Sequence, residues 1–252
     1  FGTDNETGNR SWLKIPLVPF DIQPAEICKI AYILISASVM AAHQNRPSHV
    51  SSVLHLGLHL ALVVGLNMIL SRDAGVSLIF VFIFIGMAYS GGINMIWFLL
   101  GGGLIAAAVP FVWNFVMQEY QRRRILVLFD PAIDPLGMDE RYQMLHSLRS
   151  LNGGGMTGQG LFNGHRTQSG ALFAQHTDFI FSAIGEELGF VGALVIIILF
   201  MMLIIRGYWI AMHARDRFGA LMVGGITTLL ALQVFFNIGV VTNFLPSTGI
   251  SL

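Results

Sequence analysis

Apolar residues fall in six long runs, separated by short polar breaks and by one long polar stretch. Crossing a hydrocarbon core of about 30 Å takes roughly 20 apolar residues in a helix, because lipid offers no partner to an unpaired backbone N–H or C=O. The pattern predicts transmembrane helices over about 25–42, 52–71, 75–91, 95–117, 187–206 and 219–241. The third is the shortest, with Gly86, Gly91 and Gly92 towards its end. The fourth contains Gly101, Gly102, Gly103 and Pro110, which permit close packing and a kink. The fold class is therefore all-α, a polytopic helical membrane protein with one large loop outside the membrane.

Short-loop charge sets the orientation, since Lys and Arg concentrate on the cytoplasmic side. The 206–218 connection carries Arg206, Arg215 and Arg217 against Asp216, and 43–51 carries Arg46, so both are placed in the cytoplasm. Residues 1–24, the 72–74 turn, the 118–186 loop and the C-terminal end then face outside. That organisation treats residues 1–252 as one partial membrane domain, with helices over 25–117 and 187–241 and a short outer end at 242–252. The stretch Glu119 to Glu187 holds six arginines, eight carboxylates and the glycine-dense run 153–160. Its Tyr142, Leu145, Leu161, Phe162, Leu172 and Phe173 give it apolar surface to bury, which argues for order.

Composition agrees with a lipid solvent: 54% of residues are hydrophobic and 11% charged, against about 25% charged in soluble domains. A formal net charge of zero argues against nucleic acid as a partner, which would need a concentrated basic face. The single cysteine, Cys28, leaves no disulfide within the chain. The opening Phe1-Gly2-Thr3 and the ending Ser251-Leu252 read as those of a fragment of a longer protein.

Several residues are candidates for chemistry. Asp178 stands where polar loop passes into apolar helix; partial desolvation there raises a carboxylate's pKa and suits it to take a proton from a hydroxyl. A helix N-cap is the alternative reading of the same residue. Glu186 and Glu187 precede an apolar run and complement a helix N-terminus. Glu26 and Lys29, three apart, share a helix face and can pair. Arg122, Arg123 and Arg124 suit an anionic lipid head or a pyrophosphate, with interfacial anchoring as the alternative. His55 and His59 have a spacing seen in metal sites but no third ligand nearby, so packed histidines are the reading preferred. The glycine run lacks the Lys-Ser/Thr ending of a phosphate-binding loop, and tight turns explain it better.

Taken in order, the motifs resemble the SEDS family of bacterial cell-wall proteins, the RodA, FtsW and SpoVE group. They are Gly8-Asn9-Arg10-Ser11-Trp12, Gln23-Pro24-Ala25-Glu26 with Lys29, and Arg72-Asp73-Ala74-Gly75. There follow Tyr120 to Arg124, Asp130-Pro131, Asp134-Pro135, Tyr142-Gln143 and the glycine run. His176 to Phe181, Glu186 to Gly189, Asn237-Ile238-Gly239 and Leu245 to Gly249 complete the series. Ala25 replaces a usual serine, and the 72–76 segment departs from the family's Pro-Asp-Leu-Gly-Thr. The chain matches about helices four to nine of ten. The resemblance implies a peptidoglycan glycosyltransferase of the bacterial cytoplasmic membrane, polymerising lipid II, the undecaprenyl-pyrophosphate-linked disaccharide-pentapeptide. It implies that Asp178 is the base and Trp12 a second residue needed for activity. The substrate-binding set is Arg122, Arg124, Glu26, Lys29 and Asp73, with the two arginines assigned to the donor pyrophosphate. A class B penicillin-binding transpeptidase is the implied protein partner, beside membrane lipids. No cofactor follows, although a divalent cation stays open. The alternatives are a lipid II flippase and a non-catalytic scaffold for a transpeptidase.

Overall fold

The computed structural model describes residues 23–71, 73–135, 140–170 and 177–246. Among them every regular element is helical: α1 (Pro24–Ala42), α2 (Val50–Leu70), α3 (Ala74–Ser90), α4 (Met95–Phe111), α5 (Glu119–Phe129), α6 (Glu140–Gly153), α7 (His165–Gln168), α8 (Ile180–Met212) and α9 (Arg217–Val241). Five helical segments are long and apolar enough to cross a membrane. The third expected span, α3, is apolar but has only 17 residues. The protein is a multi-pass membrane protein of all-α class.

The chain divides into two compact units, residues 1–102 with 204–232 and residues 103–203 with 233–252. In the first, α1, α2 and α3 pack around Tyr32, Ile33, Ala37, Leu56, Ile79, Phe80 and Ile83, all nearly inaccessible. Small residues set the approach of α9: a Cβ on Gly86 would lie 2.7 Å from Thr228 Cγ2, and one on Gly225 would lie 2.6 Å from Ile33 Cγ2. The connections gather at one end of this unit. Trp97 Nε1 donates to the Ser48 carbonyl at 3.1 Å, and Arg217 Nη2 donates to the Ser90 carbonyl at 3.1 Å. That second bond takes one of the carbonyls an α-helix leaves unpaired at its C-terminus.

One expectation about the fourth span needs correction. Gly101, Gly102 and Gly103 face open space and make no close approach, because α4 buries none of its residues among the described chain. The irregularity does occur at Pro110, as a π-helical turn over Val112–Val116 just beyond it. Asn114 Nδ2 donates to the Pro110 carbonyl at 2.8 Å, so that oxygen keeps a partner where the ladder changes register.

The second unit contains the long polar stretch, which is largely helical rather than a plain loop. Its core is Phe179, Phe181, Ala193, Val240 and Val241, with Leu151, Ile184, Ile197, Ile238 and Leu245 packed against it. The fifth span starts at Ile180, earlier than the expected 187, and ends at Met212. At 1.5 Å per residue, its 33 residues run to roughly 50 Å, well over a bilayer core. Gly189, at φ 69 and ψ −171, divides it into a short first part and a long apolar second part.

The glycine run explains how that kink is tolerated. Breaking a helix frees carbonyls before the break and N–H groups after it. Phe190 N and Val191 N donate to the Gly155 and Met156 carbonyls, while Gln159 N and Gly160 N donate to the Glu186 and Glu187 carbonyls. The run is thus spliced into the break by backbone alone. Gly154 and Gly158 are required there, since a Cβ on either would run into the backbone of Gly185 or Glu187.

Candidate functional site

Asp178 lies in the turn Thr177–Phe179 that leads into α8 and is half-buried. The first helical residue is Ile180, and the Phe179 carbonyl accepts the Ser182 N–H at 3.0 Å. The cap position therefore belongs to Phe179, and Asp178 stands one residue outside it. Phe179 and Phe181 flank the turn and anchor it in the core, at 4% and 5% exposure.

A residue from α9 fixes the main chain of this turn. Asn237 is fully buried, and its Nδ2 donates to the Asp178 carbonyl at 3.0 Å and to the Thr177 carbonyl at 3.2 Å. Helix α6 adds a second tie. Ser147 Oγ donates to the Val241 carbonyl at 3.1 Å, so in its 2.7 Å contact with Ser182 Oγ the hydrogen comes from Ser182. The aspartate is thus carried on backbone held from two other helices.

Glu186 and Glu187 lie in the short first part of α8 and precede its long apolar part, which begins beyond the break at Gly189. Glu186 is fully buried, and its carboxylate accepts from Arg166 N at 2.8 Å, Thr167 N at 3.0 Å and Thr167 Oγ1 at 2.7 Å. It complements a helix N-terminus, but that of α7, 19–20 residues earlier in the chain. On α6, burial and then the positive charges of Arg166 and Arg149 hold the His146 imidazole below its ordinary value.

The arginines fall on α5. Arg122 Nη2 donates to the Asn114 carbonyl at 3.0 Å, while its Nε is buried without a partner. Residues two apart on an α-helix do not share a face, so Arg122 and Arg124 leave α5 in opposing directions.

The remaining candidates belong to the first unit. Lys29 Nζ meets Glu26 Oε1 at 2.7 Å, with the lysine 1% and the glutamate 36% exposed, so the expected pair forms. Asp73 is 4% exposed and caps α3, its Oδ1 accepting from Val76 N at 3.1 Å. Its carbonyl accepts from Asn67 Nδ2 at 2.8 Å and Ser77 Oγ at 2.9 Å. Trp12 lies outside the described residues. His59 packs on Tyr32 and His55 on His43, with ring centroids 5.1 and 6.0 Å apart. No group of three or more His, Cys, Asp or Glu side chains able to hold a metal ion occurs among the described residues.

The sequence reading missed the work of Asn237, Ser147, Ser182 and Glu186. Asn237 and Glu186 were visible as motif members, but their partners lie on other helices. Ser147 and Ser182 carried no signal, because a hydroxyl in an amphipathic run looks like any polar position.

Comparison with known proteins supplies the relationship. The family model FTSW_RODA_SPOVE, described as cell cycle protein, matches residues 2–252. The peptidoglycan glycosyltransferase MrdB of Escherichia coli K12 is 37% identical over 249 residues, covering 97% of this chain. A probable peptidoglycan glycosyltransferase FtsW of Geobacter metallireducens is 35% identical over 246 residues, again 97% of this chain. The chain spans 65% and 64% of the lengths of these two relatives. Among solved structures, a chain reported under the structural coordination of polymerization and crosslinking by a peptidoglycan synthase complex superimposes with a TM-score of 0.77 at 30% identity. All of this chain and 68% of that one are covered. The rod shape determining protein RodA of Thermus thermophilus shares the fold, with a TM-score of 0.63 at 24% identity over all of this chain and 63% of its own. The chain belongs to the FtsW, RodA and SpoVE family of cell cycle proteins.

Proposed function

We propose that this chain is the membrane body of a peptidoglycan glycosyltransferase, which polymerises lipid II at the outer face of the bacterial cytoplasmic membrane. The observation that carries the reading is the clamping of Asp178 by the buried Asn237 amide, which holds a carboxylate at the mouth of α8. Relatives named as peptidoglycan glycosyltransferases support it. Asp178 takes the proton of the acceptor sugar's 4-hydroxyl as that oxygen bonds to C1 of the donor. The bond from C1 to the phosphate oxygen breaks, and its electron pair leaves with undecaprenyl pyrophosphate. General-base help of this kind contributes roughly 10²–10⁴ in rate.

Arg122 is the arginine we assign to the leaving pyrophosphate, since its remaining donors are uncommitted; Arg124 serves as a separate contact. Of the first unit's set, Glu26 is the side chain exposed enough to touch a ligand. Lys29 orients Glu26, and Asp73 holds the start of α3. A single-span class B penicillin-binding transpeptidase is the partner. The similar chain from a structure concerned with coordinating polymerization and crosslinking supports that pairing. The test is glycan formation from purified lipid II by the full-length protein carrying Asp178→Asn. Folded protein that makes no glycan is the expected result. Substantial polymerisation would overturn the assignment, because Asp178 is dispensable in a flippase or a scaffold.

A further inference from the structure

A cavity of about 480 Å³ opens in the second unit beside the first turns of α8. One wall is a single helix face, Ile180, Ile184, Glu187 and Leu188, at the i, i+4, i+7, i+8 spacing that brings side chains together. Phe162 and Gln168 also line the cavity. The face begins two residues beyond Asp178.

Among the described lining residues, Glu187 alone brings a formal charge. Its Oε2 accepts the Phe162 N–H at 3.0 Å, and its Oε1 takes a long 3.4 Å bond from the Gln168 amide. No cation pairs with it among the described residues. Phe162 has φ 61, a left-handed conformation that an aromatic residue keeps only when its surroundings hold it. The bond to Glu187 does so, and it ties the loop to the carboxylate at the cavity's edge.

A half-buried carboxylate with neutral partners, set against an aliphatic wall, matches a cation carried on an apolar arm. A primary ammonium on an alkyl chain meets both needs: its N–H groups take the vacant lone pairs, and its methylenes cover Ile180 and Ile184. We propose that this cavity binds the side-chain amine of the peptide stem on the sugar precursor, and so positions the stem while the sugar reacts near Asp178. The inference rests on the polymerase reading above.

The test compares two lipid II preparations, one whose stem carries a free lysine amine and one with that amine acetylated, on the full-length protein in phosphatidylcholine vesicles. One charge-assisted bond predicts a KM about tenfold lower for the free amine. That ratio should collapse towards one in Glu187→Gln, which keeps volume and an acceptor for Phe162. The ratio is internal to each variant, so loss of folded protein does not disguise it. Equal KM values in the parent, or an undiminished ratio in Glu187→Gln, would overturn the inference while leaving polymerisation intact. Absence of glycan from both preparations would strike the polymerase reading instead. A parallel series containing phosphatidylethanolamine separates the sources: if Glu187 matters only when that lipid is present, the ligand is a headgroup and the stem assignment is wrong.

Discussion

The side-chain amide of Asn237 donates to the main-chain carbonyl of Asp178 across 59 residues of sequence, at 3.0 Å. The same amide takes the neighbouring Thr177 carbonyl, so a single buried residue sets the position of the turn.

Asn237→Leu should therefore impair catalysis more than binding. It leaves two carbonyls of the turn without their donor, at a cost of about 1–3 kcal/mol. The expected result is a fall in turnover with KM for lipid II nearly preserved. Unchanged turnover per folded molecule would show that Asp178 does not need the clamp.

The glycines of α8 and α4 should behave oppositely. Gly189 holds φ 69 with ψ −171, a region essentially reserved for glycine, so Gly189→Ala should cost roughly 3 kcal/mol. Gly102 meets nothing within 4 Å, and Gly102→Ala should be neutral or stabilising by up to about 1 kcal/mol through helix propensity. Thermal unfolding in detergent ranks the two. A tolerated Gly189→Ala would contradict the backbone splice.

Arg122 and Arg124 should be separable. Their opposing directions on α5 predict that Arg122→Gln weakens lipid II binding by about tenfold, the loss of one charge-assisted contact, and that Arg124→Gln has a smaller effect. Equal losses from both would show that the two arginines contribute alike despite their opposing directions. Titration of labelled lipid II against detergent-solubilised protein measures each.

His146 predicts a pH dependence of stability. Its folded-state pKa lies below the ordinary value of about 6.5, from burial and from Arg166 and Arg149, so the unfolded chain binds the proton more readily. Its contribution is complete above that ordinary value and is lost as pH falls from there towards the lower folded-state value. Protein with His146→Gln should lose less thermal stability than the parent between neutral and mildly acid pH. Parallel curves for the two would remove His146 from the account.

The spans and the Glu26–Lys29 pair were legible because each depends on a local property. Lipid demands an unbroken apolar run, and residues three apart on a helix always meet. The order of motifs pointed to the family for a related reason, since it is a property of the chain itself. Where α8 begins was less legible: Ile180 to Glu187 is polar enough to read as loop, and it is helical because the glycine run pairs with the backbone of its far end.

What tertiary structure alone decided is which polar groups find one another. Glu186 was readable as a helix-terminus carboxylate, yet the terminus it serves is that of α7. Arg122 and Arg124 read as neighbours until their segment became a helix and turned them apart. Asn237 and Asp178 carry no sequence pattern linking them. Apolar periodicity records the solvent each residue faces; a directed hydrogen bond between distant helices requires their packing, which no local pattern encodes.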